Sequence, residues 1–137
     1  MAQDYILRLI EQIALMLAEL SRLKASERPA CISALALRET GLPLDFVKHS
    51  SPEIILQLLE SGGGTQHARA ILLAELLLQD ADLNEAAGKN REATISRAQA
   101  QALLAHSIDK LSPEEQLVYR PRLEALTADL TRVARQS

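Results

Sequence analysis

"TQHARAILLAELLL", Thr65–Leu78, is the stretch whose reading decides the fold. From Ala70 to Leu78 only Glu75 carries a charge. Alanine and leucine are strong helix formers, and neither is branched at Cβ. The pattern continues to Ala87 and predicts one long helix, Thr65–Ala87. A helix that is apolar nearly all round must be covered on every side, so this one is expected to be the central buried element. Its narrow polar side is Glu75, Gln79 and Asp82, at i, i+4 and i+7. These three are the candidate partner groove: in a helical array they would line a cleft for a basic peptide. The plainer reading is a solvated strip on a buried helix.

The residues on either side punctuate the pattern. Gly62, Gly63 and Gly64 precede the long helix. A phosphate-binding loop would need a strand before the glycines and a lysine after them, and neither is present. The run reads as the stop of one helix, with Thr65 capping the next. Upstream, Ser51 is the expected N-cap and Pro52 the first residue of a short helix carrying Ile54, Ile55, Leu58 and Leu59. "ASERPACISALALRETGLP" predicts another, with Ser26 as N-cap, Pro29 in its first turn and Gly41 as its stop. "PLDFVKHSS" supplies one or two further turns.

Downstream, Gly88 marks a turn, and a helix is expected over Asn90–Lys110. Its apolar positions are Ala100, Leu103, Leu104 and Leu111, beside a small-residue seam of Ile95, Ala98, Ala102 and Ala105. Ser112 and Glu115 form a capping box, with Pro113 at the first helical position. Pro121 is expected to interrupt the last segment, leaving a short turn and then a helix carrying Leu123, Leu126, Leu130 and Val133.

The N-terminal helix, expected over Asp4–Lys24, carries two overlapping apolar series. Ile6, Ile10, Ile13, Leu17 and Leu20 form one; Leu9, Ile13, Met16, Leu20 and Leu23 form the other. One seam against the body needs only one series. The surplus width makes Ile6, Ile10, Ile13, Leu17 and Leu20 a candidate homodimer interface, since a twofold contact reuses one patch. The alternative is that both series pack inside one bundle.

Composition narrows the function. The 137 residues are about one domain's worth, and 47% are hydrophobic, enough for a core. Tyr5, Phe46 and Tyr119 are the only aromatics, so leucine, isoleucine and alanine must fill that core. A net charge of −3 argues against a nucleic-acid binder, which needs a concentrated positive face. "ALRETGLPLDFVKHS" does not read as a DNA-binding helix-turn-helix, because residues 43–50 offer only Lys48 and His49 as basic groups. Cys31 is alone and can make neither an intrachain disulfide nor a zinc-finger ligand set. That fits a reducing, cytoplasmic setting. Asp4, Arg8, Glu11 and Glu19 exclude a signal-peptide core or a membrane span at the N-terminus.

No motif carries a reaction. His49, His67 and His106 lack the i, i+4 spacing of a helical metal pair. The serines lack the G-x-S-x-G setting of a nucleophile. No catalytic, cofactor-binding or metal-ligating residue is therefore assigned.

"DYILRLIEQ" at Asp4–Gln12, "SSPEIILQLLESGG" and "LAELLLQDADL" carry a resemblance. In order and spacing, over residues 4–110, they resemble a family of small uncharacterised bacterial proteins, described as all-helical and tetratricopeptide-like. The resemblance implies an all-α fold and assigns no site residues. Within it, Thr65–Lys110 reads as one tetratricopeptide-like hairpin, longer than the usual repeat of about 34 residues and without a second copy.

The expectation is thus a single all-α domain spanning 1–137, an array of about five to seven helices with one tetratricopeptide-like hairpin. Its expected role is a non-enzymatic scaffold or protein–protein interaction module, without cofactor, membrane or nucleic-acid partner. Its partner is a second copy or another protein or peptide. The alternative is a small-molecule-binding protein or enzyme whose polar residues converge only in the fold.

Overall fold

The computed structural model describes residues 2–60 and 66–136, with side chains of the first helix described from Glu11 onward. Among these residues there are seven α-helices, one 3₁₀ turn and no strand. The helices are α1 (Ala2–Ser21), α2 (Arg28–Thr40), α3 (Leu44–His49), α4 (Pro52–Glu60), α5 (Gln66–Ala86), α6 (Asn90–Ser107) and α7 (Pro113–Gln136). The 3₁₀ turn, Ile108–Lys110, links α6 to α7. The glycine run Gly62–Gly64 and the Thr65 cap lie outside the described residues.

Helix α5 is the centre, as its sequence requires. Ala68, every residue from Ala70 to Leu77, and Ala81 are buried. It pairs most extensively with α6, and α2 and α4 cover its other sides. Ile13, Met16 and Leu20 of α1 join this core through α2 and α5. Leu15, on the far side of α1, is exposed.

The local punctuation is largely as the sequence predicts. Gly41 ends α2 at φ 77°, its N–H donating to the Leu37 carbonyl. After α5, Gly88 adopts φ 79° while the Lys89 N–H donates to Asn84 O at 2.8 Å and the Gly88 N–H to Glu85 O at 3.0 Å. That pair of bonds is a Schellman stop, which glycine serves best because no Cβ opposes positive φ. Ser51 Oγ accepts the Ile54 N–H at 3.3 Å. The capping box forms in both directions: Glu115 N–H donates to Ser112 Oγ at 3.2 Å, and Ser112 N–H to Glu115 Oε1 at 3.0 Å.

Three local expectations are corrected. Ser26 does not cap α2; Glu27 holds that position without a side-chain cap bond, and Pro29 in the first turn leaves one fewer N–H to satisfy. The seam of α6 is rotated. Its buried face is Ala93, Ser96, Ala100, Leu103, Leu104 and Ser107, whereas Ala98 and Ala105 are exposed. The small-residue principle holds, but serines counted as polar in the sequence occupy two of the seam positions. Pro121 does not interrupt the last helix, which runs unbroken from Pro113 to Gln136. Pro121 and Leu117, whose carbonyl loses its helical donor, both lie on the solvent side, where water can take the freed bond.

A polar network fixes α3 against the α5–α6 hairpin. Lys48 Nζ lies 3.0 Å from Asp80 Oδ2, with the two side chains only 10% and 14% exposed. The same carboxylate oxygen accepts Ser96 Oγ–H at 2.7 Å and Asn84 Nδ2–H at 3.0 Å. Gln99 of α6 donates to the carbonyls of Val47 at 2.7 Å and Ser50 at 2.6 Å, satisfying the end of α3.

Candidate functional site

Helix α7 packs on α6, while its backbone stays clear of α5 and meets it through side chains. A groove of about 500 Å³ opens between α5 and the second half of α7, lined in part by α6. The α5 wall presents Leu78, Gln79, Asp82 and Glu85; α6 contributes Thr94 and Arg97. The α7 wall runs from Arg122 through Ala125, Leu126, Asp129, Leu130 and Arg132 to Val133. Both long walls are helical, so their lining residues recur at three- and four-residue spacing. The apolar part is Leu78, Leu126, Leu130 and Val133, of which Leu126 is buried and Val133 exposed.

The charges of the groove are organised. Arg97 donates to both Asp82 at 3.0 Å and Glu85 at 2.9 Å, one guanidinium between two carboxylates. Its proton is held more firmly than usual: burial works against the charge, and the bonds to Glu85 and Asp82 outweigh it. Arg132 pairs with Asp129 at 3.0 Å. Arg122 reaches down to Glu75 at 2.7 Å, where the carboxylate side chain is only 4% exposed. Burial raises the Glu75 pKa above the usual carboxylate value, and Arg122 offsets only part of that. Beneath this pair, burial and then the Glu75 charge push the Tyr119 hydroxyl up to about 12. Glu115 Oε2 is buried without a hydrogen-bond partner.

The stripe Glu75, Gln79 and Asp82 is therefore split by the fold. Gln79 and Asp82 line the groove, while Glu75 sits below it, buried and paired with Arg122. The solvated-strip reading fails for Glu75, and the basic-peptide reading loses Glu75 as an available charge. Sequence reasoning misses Arg97 and Arg122, which complete the two walls, and gives Leu130 and Val133 only as apolar positions of the last helix. The signal in the sequence was the continuation of the Leu126, Leu130, Val133 series among Arg122, Asp129 and Arg132.

The dimer candidates have other positions. Ile13 and Leu20 are buried in the chain's own core, Leu17 is half-buried against it, and the side chains of Ile6 and Ile10 lie outside the described residues.

The remaining chemistry-bearing residues stand apart. His67 Nδ1 lies 3.2 Å from Ser107 Oγ, and its pKa is lowered by burial and then by Lys110. His106 bridges the Ala102 carbonyl at 2.8 Å and Glu53 at 3.2 Å on the surface. Burial and then Glu19 raise the Cys31 thiol. Among the described residues no three His, Cys, Asp or Glu side chains converge as a metal site would require. No described helix is long and apolar enough to cross a membrane. No family model, curated protein or solved structure matches the chain.

Proposed function

We propose that this chain is a non-enzymatic helical interaction module and that a protein segment docks in the groove between α5 and α7. The observation carrying this reading is the groove itself, with half-buried leucines between two charged rims and no His, Cys or Ser among its lining residues. Its polar side chains are mostly carboxylates and guanidiniums already paired to one another, which suits recognition more than proton transfer. The tetratricopeptide-like character read from the sequence of the α5–α6 hairpin belongs to the same proposal. Such hairpins present a helical face to their partners.

The test compares proteins crosslinked in cells to the wild-type chain with those crosslinked to Leu130→Glu and to Leu15→Glu. Leu15 is exposed on α1, outside the groove. The reading expects partners lost by the first variant and kept by the second. Partners kept by a folded Leu130→Glu protein would overturn it.

A further inference from the structure

The two rims of the groove have opposite character, and that specifies an occupant. On the α5 rim, Asp82 and Glu85 are 68% and 60% exposed, while the Arg97 they share is only 21% exposed. One guanidinium cannot neutralise two carboxylates, so an incoming group meets net negative charge there. On the α7 rim each arginine has a carboxylate, Arg132 with Asp129 and Arg122 with Glu75, but Arg122 is 45% exposed and Glu75 only 4%, so the guanidinium is the end of that pair an incoming group meets. Between the rims lie Leu78, Leu130 and Val133.

The shape points to a helix. Helices α5 and α7 each pack on α6, and their own backbones stay apart, joined through the Arg122–Glu75 pair. Three helices so placed leave the fourth position of a bundle open, and a helix laid there would pack against both walls. From Arg122 to Val133 the α7 wall is about 16 Å long, some three helical turns at 1.5 Å per residue. Apolar groups at i, i+3 or i+4, and i+7 of a guest helix would meet the leucines at that spacing.

We infer that the groove takes an amphipathic helix of a partner protein whose apolar face is flanked by one basic and one acidic edge. The basic edge lies against Asp82 and Glu85, the acidic edge against Arg122 and Arg132. This charge arrangement also sets the direction of the bound helix, since turning it end for end exchanges its edges. The inference rests on the groove being the docking site proposed above, and it adds the class of partner.

Three synthetic helical peptides with the same leucine face test it: one with a lysine and a glutamate edge, one with lysine on both edges, and one with glutamate on both. Binding is read by fluorescence anisotropy against the full chain. The two-signed peptide should bind at least about tenfold more tightly than either single-signed one, as charge complementarity requires. Asp82→Lys with Glu85→Lys should transfer the preference to the glutamate peptide. Leu130→Glu should abolish binding; if that variant does not fold, Val133→Glu at the more exposed position replaces it. Equal binding of all three peptides, or a two-signed peptide that binds no better than a scrambled one, overturns the inference. If the peptides fail while crosslinked partners are still lost from Leu130→Glu, only the class of partner is wrong. If both fail, the groove is not the docking site.

Discussion

Asp80→Ala is the perturbation whose cost the structure specifies best. Asp80 Oδ2 takes three donors, Lys48 Nζ, Ser96 Oγ–H and Asn84 Nδ2–H, at 3.0, 2.7 and 3.0 Å. Truncation leaves the Lys48 ammonium nine-tenths covered, with Glu92 at 3.6 Å as its remaining counter-charge. Removing one partner of a buried pair costs roughly 3–5 kcal/mol. Glu92 is 46% exposed and can follow the lysine, which places the ionic part near the lower end. The hydroxyl of Ser96, fully buried, loses its acceptor and adds on the order of 1 kcal/mol. The expected loss is therefore about 3–4 kcal/mol, a large share of a typical domain's stability. Urea unfolding followed by far-ultraviolet circular dichroism should show the midpoint falling by roughly 1–3 M. Adding Lys48→Met to Asp80→Ala should recover about half the loss, because the stranded charge goes with it. A loss below about 1 kcal/mol, or strict additivity of the two substitutions, would refute the claim that this network holds α3 to the hairpin.

Three further outcomes follow from the same structure. Leu73→Ala and Leu77→Ala, both fully buried, should each cost about 2–5 kcal/mol in the same urea assay. Glu75→Gln tests the buried carboxylate under the groove. Because its folded pKa is raised, its ionised form disfavours the fold, and wild-type stability should fall as pH rises from the unfolded value through the folded one. The glutamine variant, still able to bond Arg122, should lack that fall and be at least as stable as wild type at neutral pH; greater wild-type stability there would contradict the assignment. On α1, Ile13→Glu should unfold the chain, since Ile13 is in the core, whereas Leu17→Glu should fold. Sedimentation velocity of the Leu17→Glu protein then tests the homodimer proposal: a dimer through α1 should dissociate, and a wild-type chain that is already monomeric at micromolar concentration dismisses it.

The sequence alone determined the all-α class, the central position of α5 and most helix boundaries. These depend on short-range physics. A run such as Ala70–Leu78 must be buried wherever the chain goes, and Gly41, Gly88, Ser51 and the Ser112–Glu115 pair act on their own neighbours. Local rules are too coarse in one place: Pro121 reads as a break, but its position on the solvent face makes it tolerable within α7. Only the tertiary structure decided that α7 would lean on α6 and stand off α5, opening the groove. Only it brought Arg122 onto Glu75, 47 residues away, and Lys48 onto Asp80. Those pairings depend on the angles at which helices pack, and those angles come from the summed shapes of many side chains. A periodicity read along one helix gives its apolar face but not which charge on another helix will come to meet it.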